Sequence, residues 1–542
     1  MPNLRLQPTE EAIPPRIPPR NAVPTRLPLW SVRVPTKLWW IGVLVAPFVI
    51  CVTRAYIGLT GIHIYTHDVF VFLDGAWRVL NGQRPHNDFY TPLGPIVYLQ
   101  GAGGLMLSGG GAEGLAYAQA AFGLLICFWA FALCVRRLEP APSILVCMAL
   151  ALTSVAPFAI GESPYALTYA MFYNRWGYAL LGLLLIESLA EYRYATTRNV
   201  TLGGISTGVV VGTLLFLKVS YFLGSVFLLL GLVRCRTQRF SRWVGIAGGF
   251  GVTFLTFYSY LCFTLAPLWS DLKTAALAKH VVLPESISGT LYKEVGLFLL
   301  FILSAALLMR RVEGGLSSRS ILTAGFSVSL AGMFLLATNY QQRGFPLNCV
   351  LSILVINGVV TSFSMSGRKS LFLRSVVSLL GGLLVLIPIS YDAIGLGFGL
   401  DVRLVASHVP FTKFNANALA SFRSGEGEYV EIVNDGLALV AKYRQPDDTL
   451  ISLDFSNPVS YSLSMNPSSG GTTWLQYRTN FDDTHGPAPQ RVFGSATLVI
   501  VPKTFPDAGI ARVYVPFLAQ NFTLIGEGVS WRLYRRKSSG NS

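Results

Sequence analysis

Apolar runs close to the length of a bilayer crossing recur along this chain, beginning near Leu38, Leu115, Ser143, Trp176, Leu202, Tyr221, Val244, Val295, Ile321, Phe345 and Val376. A helix needs about 20 residues to cross the hydrocarbon layer. In lipid, only a structure that satisfies its own backbone hydrogen bonds can span. The pattern therefore predicts a polytopic α-helical membrane protein with about 11 transmembrane helices, two of them short. With 52% hydrophobic and only 13% charged residues, the composition excludes a water-soluble globule. The apolar stretch at 92–108 starts with Thr-Pro, is rich in glycine and runs into GGG, so it reads as a helix lying on the membrane surface.

Charge placement tests this map. The formal charge is +15, and the basic residues sit in short clusters between the apolar runs. Arg136 and Arg137, Arg193 and Arg198, Arg234 to Arg242, Arg310 to Arg319, and Arg368 to Arg374 all fall on one side. Excess Lys and Arg mark the cytoplasmic side. The surplus is thereby assigned to topology rather than to nucleic acid. The proline- and arginine-rich segment 1–36 lacks the apolar core of a secretory signal and reads as a disordered cytoplasmic tail. The opposite side receives the loop 61–112, the segment from Glu162 to Arg175, a mixed-charge loop from Ser270 to Glu294, the NYQQRGF loop and everything past about Phe398. Counting the 92–108 stretch as a span would reverse every later loop.

After Leu400 the texture changes. Short runs such as TLISLDF, ATLVIVPK and ARVYVPF read as strands, and GEYVEIVNDGLALVAKY reads as a helix. The chain thus divides into a tail (1–36), a membrane domain (37–398) whose first external loop is 61–112, and a C-terminal soluble α/β domain (399–542) outside the cytoplasm. The seven cysteines lie in or beside apolar runs with no CxxC pair, which argues against a disulfide frame or a structural zinc site. Walker A, HExxH and GxSxG motifs are missing.

The first external loop concentrates ionisable groups. Between Asp68 and Gly82, Val69, Phe72, Leu73, Ala76 and Leu80 recur at helical spacing, and Asp74 and Arg78 form an i,i+4 pair elsewhere on the helix surface. A turn-rich connector, QRPHNDFYTP, leads to the second surface helix. Together the two helices make a shelf on the outer leaflet, with Asp68 near its start.

These residues resemble a known family. An acidic residue after the first span, a helix ending in Ala-x-x-x-Leu-x-Gly, a connector with an aspartate and aromatics, and Pro92-Leu93-Gly94-Pro95-Ile96-Val97-Tyr98 are similar to the first external loop of membrane glycosyltransferases with the C-type fold. Protein mannosyltransferases and the aminoarabinose transferase that modifies lipid A are the nearest in character. The likeness covers the layout of about the first 240 residues, and its specific part runs from Asp68 to Tyr98. The chain departs from that pattern in carrying His67-Asp68-Val69 where a second acidic residue often follows the first.

The resemblance implies a sugar donor on polyprenyl phosphate, a glycan, lipid or protein acceptor, inversion at the anomeric carbon and a place in a bacterial inner membrane, with the terminal domain periplasmic and no cofactor required. Direct displacement needs a general base, and Asp68 is the candidate, with Glu162 as a second acidic group. A departing phosphate needs positive charge in a site shielded from water. Lys218, Arg175 and Arg343 are candidates for it, and Arg84, Asp88 and Tyr90 of the connector are further substrate-binding candidates. Each has a plainer rival: Asp68 as a helix cap, Lys218 as a snorkelling side chain, the arginines as interface anchors and Asp88 as a turn cap. His63, His67, Asp68, His86 and Asp88 also invite a divalent cation, with His67 as its ligand. A lipid-linked oligosaccharide flippase and a polysaccharide polymerase or ligase are the competing functions. A transporter would gather its charges at the bilayer midplane, whereas here they collect at the outer surface.

Overall fold

The computed structural model describes residues 36–192, 196–233, 240–279, 294–310, 317–339, 341, 344–361, 368–405, 411–505 and 507–537. Arg343 lies outside the described residues, as do Arg193, Arg234, Arg236, Arg239 and Arg311 of the basic clusters.

The helical bundle is α1 (Thr36–Ile57), α4 (Gly114–Cys134), α5 (Pro140–Val155), α6 (Phe172–Leu189), α7 (Thr197–Leu217), α8 (Val219–Leu232), α9 (Phe240–Tyr260), α11 (Gly296–Met309), α12 (Ser318–Thr338), α13 (Pro346–Thr361) and α14 (Arg368–Val405). A helix thus occupies each of the eleven apolar runs. Among the described residues, segments of α1, α4, α7, α12 and α14 are long and apolar enough to cross a bilayer, while α5, α8, α11 and α13 are apolar but shorter. α14 runs past Phe398 to Val405 and carries the chain out of the bundle.

Helices α7 and α9 show why glycine is spaced as it is. A Cβ on Gly204 or Gly208 would come within 2.3 or 2.1 Å of the carbonyl oxygens of Arg242 and Ile246, and one on Gly249 within 2.2 Å of that of Ile205. Burial in lipid gives no hydrophobic drive between helices, so close backbone approach through small residues supplies the attraction instead.

Between α1 and α4 lie β1 (Thr60–Ile62), α2 (Thr66–Leu80) and α3 (Pro95–Leu107). The two helices, expected as a shelf on the outer leaflet, pack against each other, with α3 also against α4 and α7. Asp74 and Arg78, expected at the helix surface, are buried at 0% and 1% exposure, joined at 2.8 Å. The reason is partnership at a distance. Arg78 also donates to the carbonyl oxygens of Ser468 and Gly470, and Asn457 donates to Asp74. A charged pair can be buried when every remaining donor and acceptor is matched.

The terminal part comprises β2 (Thr412–Lys413), β3 (Arg423–Ser424), α15 (Gly427–Tyr443), β4 (Leu450–Ser452), α16 (Val459–Ser462), α17 (Pro489–Phe493), β5 (Leu498–Pro502), α18 (Ala508–Asn521), β6 (Phe522–Glu527) and β7 (Trp531–Arg536). Its main sheet has the order β4-β5-β7-β6, with β4 and β5 parallel and the other pairs antiparallel. β5 is buried along its whole length, as a strand covered on both faces must be. ARVYVPF, expected as a strand, is instead the centre of α18. Asp507 caps that helix by accepting from the Gly509 amide at 2.9 Å, and Ile510, Tyr514 and Leu518, four residues apart, form its buried face. The alternation of Val513, Val515 and Phe517 is real but yields to this 3.6-residue period.

A second, three-stranded sheet, β1-β3-β2, mixes the two parts of the chain. β1, just after the first span, pairs in parallel with β3 of the terminal part.

Candidate active site

Where α2 begins, a cavity of about 420 Å³ opens between the bundle and the terminal domain. Its walls come from the start of α2 (His67, Asp68), the start of α6 (Tyr173), the α7–α8 junction (Lys218, Ser220), α10 (Ala266–Ala278) with Lys279 behind it, the end of α12 (Asn339), and terminal-domain loops (Phe455, Trp474).

Local chemistry explains each placement. Tyr65 and Met171, which precede α2 and α6 and line the cavity, both adopt left-handed backbone at φ 57° and 50°. Non-glycine residues hold that conformation at a cost, and such strain gathers at functional sites. Lys218 lies in an extended break between α7 and α8, at φ −166° and ψ 125°. The carbonyl of Leu217 at this break accepts from the Gly94 amide at 3.1 Å, and a Cβ on Gly94 would fall 2.0 Å from the Phe216 oxygen. Gly94 of the Pro-Leu-Gly-Pro segment is thus what lets the loop dock on the break that presents Lys218.

The Lys218 ammonium donates to Asn174 at 3.3 Å and sits 4.5 Å from the centroid of the Tyr173 ring. Lys279 donates to the Thr338 carbonyl, and burial lowers its pKa to about 8. Ser220 donates to Asn339 at 3.1 Å. On the other wall, a fifth of the Asp68 side chain is open. Burial, and then the nearby charge of Glu426, push its carboxyl up to about 7. Burial likewise lifts Asp454 of the terminal domain to about 6 and lowers the His67 imidazole below its ordinary value. The His67 ring meets Phe455 edge-on at 4.4 Å, and Phe455 meets Trp474 at 6.2 Å. An aromatic wall therefore stands beside the carboxylate. Such an arrangement offers a base near neutrality, two cations and flat apolar faces in one enclosure.

Of the residues singled out in the sequence, Asp68, His67 and Lys218 meet here. Others lie elsewhere. Arg175 is buried, pairs with Asp392 at 3.2 Å, donates to the Phe158 carbonyl at 2.6 Å and lines a separate cavity of about 330 Å³ with Asn348 and Glu294. Glu162 is not among the residues lining the Asp68 cavity, and its carbonyl accepts from the Tyr391 hydroxyl at 3.1 Å. Arg84, Asp88 and Tyr90 build the connector: Asp88 accepts from the Arg84 amide at 2.6 Å, the Arg84 guanidinium contacts Cys262, and the buried Tyr90 donates to the Asn480 carbonyl at 2.6 Å. Their chemistry is spent on holding the loop to its neighbours rather than on the cavity.

The histidines considered for a cation lie apart from one another. His86 pairs with Asp271 of α10 at 3.0 Å, and His63 is wedged against Phe398 and Phe411. His67 keeps one carboxylate, Asp68 at 4.0 Å, and among the described residues no three His, Cys, Asp or Glu side chains converge as metal ligands. Lys279, Asn339, Trp474 and Glu426 were missed. Nothing in a mixed-charge loop or a terminal-domain turn distinguishes them before the chain folds.

Fold and site together define an integral membrane protein with a largely apolar cavity, set with a few ionisable groups, walled jointly by its helical bundle and its terminal domain. No family model and no curated protein matches its sequence. Among solved structures, the chain is similar to the crystal structure of ArnT from Cupriavidus metallidurans bound to undecaprenyl phosphate, with a TM-score of 0.48 and 14% identity over 93% of this chain and 98% of that one.

Proposed function

We propose that this protein is an inverting membrane glycosyltransferase that moves a sugar from a polyprenyl-phosphate donor to an acceptor hydroxyl, and that the cavity at the start of α2 is where it does so. The observation that carries the reading is that Asp68, Lys218 and Lys279, far apart in sequence, line one cavity. Asp68 removes the proton of the acceptor hydroxyl as its oxygen attacks the anomeric carbon. The bond from that carbon to the phosphate oxygen breaks, and the electron pair leaves on the polyprenyl phosphate. The leaving group gains one negative charge, and Lys218 and Lys279 stabilise it in a low-dielectric enclosure. Trp474 and Phe455 give a sugar ring an apolar face to lie against.

In this reading the end of the bundle that bears the cavity faces the outer side of a bacterial inner membrane, with eleven crossings and a cytoplasmic N-terminus, and the positive-inside pattern of the basic clusters supports that orientation. The ionisable cavity residues stand at the start of α2, the α7–α8 junction and the end of α10 rather than along a central path, which favours an enzyme over a flippase. The test is Asp68→Asn in purified protein supplied with a panel of undecaprenyl-phosphate-linked sugars and candidate acceptors. Transfer by the native protein and its loss in the variant, with insertion and thermal stability retained, supports the proposal. Full transfer by the variant overturns Asp68 as the base.

A further inference from the structure

The terminal domain does more than roof the cavity, because one of its carboxylates reaches the helix that bears Asp68. β3 enters beside β1, with Thr60 opposite Arg423 and Ile62 opposite Ser424. Immediately after it, a Glu426 carboxylate oxygen accepts from the Thr66 amide at 2.8 Å, and the Ser424 and Thr66 hydroxyls meet at 2.7 Å. Thr66 opens α2 and Asp68 stands two residues on, in the same turn. The amides at a helix N-terminus stabilise an anion placed there. Glu426 takes one of them, so an acid from 358 residues downstream of Asp68 shares the positive end of its helix.

We infer that Glu426 is a positioning residue for Asp68: it closes the N-terminus of α2 and sets a second negative charge beside the base. The inference rests on Asp68 being the base. Other groups face Asp68 as well. His67 adjoins it on α2, Tyr65 lies in the preceding turn, and Tyr429 belongs to the terminal domain. Tyr173, Lys218 and Lys279 line the same cavity from the bundle side. Glu426 opposes the carboxylate form of Asp68, because like charge beside a buried acid holds its proton on. A terminal-domain residue is in this way built into the proton-accepting step.

Hydrophobic carbodiimides label protonated carboxyls, so labelling of Asp68 by dicyclohexylcarbodiimide across pH, read by mass spectrometry on the full-length protein in detergent, follows its protonation without any sugar substrate. The native protein should lose labelling with a midpoint at about 7. Glu426→Gln keeps an oxygen for the Thr66 amide but removes the charge, and should move the midpoint down by about one pH unit. Glu426→Ser, a second neutral helix cap, should do the same. Ser424→Ala, which removes a neighbouring contact and no charge, should leave it in place. An unmoved midpoint in both neutral variants, or an equal shift in Ser424→Ala, overturns the inference. Because labelling needs no transfer, failure of the glycosyltransferase reading shows separately, as transfer retained by Asp68→Asn.

Discussion

Two aspartates at cavities of this protein have opposite company. Asp392, on α14, has the Arg175 guanidinium at 3.2 Å, and that arginine is further tied to the carbonyls of Phe158 and Thr153. Asp68, on α2, has another carboxylate, Glu426, at the end of its helix, and its cations stand on the far walls of the cavity. A buried acid beside an arginine is neutralised and becomes structure. One beside another acid, held from water, keeps a proton it can exchange. The difference teaches which of two similar residues in a membrane protein is available for chemistry.

Exchanging each for its amide is the most severe way to break the comparison. Asp68→Asn should lower transfer about 10³-fold, whereas Asp392→Asn should leave transfer by the folded fraction within about threefold, both measured on purified protein. A fall of similar size in the two would end the distinction. Stability should divide the other way. Asp392→Asn strands the buried Arg175 and should cost about 3 kcal/mol, read as a lower melting temperature, and Arg175→Met combined with Asp392→Leu should recover most of it.

The lysine side of the cavity sharpens the contrast further. Lys279→Ala should lower kcat/KM for the polyprenyl-phosphate sugar about 30-fold, the worth of one charge-assisted hydrogen bond. Between pH 6 and pH 7 the rate should rise about fivefold, because only ionised Asp68 accepts a proton and its carboxyl is pushed up to about 7, and it should fall again above about pH 8, where Lys279 loses its charge. The stability sign is opposite. A carboxyl whose folded value is raised contributes most below its unfolded value, near 3.8, and that contribution is lost as pH climbs through about 7. Asp68→Asn should therefore raise the melting temperature at pH 8 and leave it unchanged at pH 4. The smallest effect should be Trp474→Phe, which keeps a flat apolar face and should change KM only about twofold, against tenfold or so for Trp474→Ala.

Much of this was legible in the sequence. Eleven apolar runs became eleven helices, and GEYVEIVNDGLALVAKY became α15. Asp68 and Lys218 were singled out through the family resemblance, as the base and the cation that transfer from a lipid phosphate needs. Arg84, Asp88 and Tyr90 were just as polar and just as near, yet they serve the connector. Residue type does not say whether a donor will find a neighbouring carbonyl, and Tyr90 found that of Asn480 from 390 residues away.

Periodicity along the chain, then, determined the membrane-spanning elements, because lipid leaves each span to satisfy its own backbone. The tertiary structure alone decided which polar groups are spent and which remain available. Thr66 with Glu426, Gly94 with the Leu217 carbonyl, and Arg175 with Asp392 are contacts between distant segments. Charge interactions fall off with separation in space and are blind to separation in sequence, so the carboxylate that stays reactive is settled only when the terminal domain docks on the bundle.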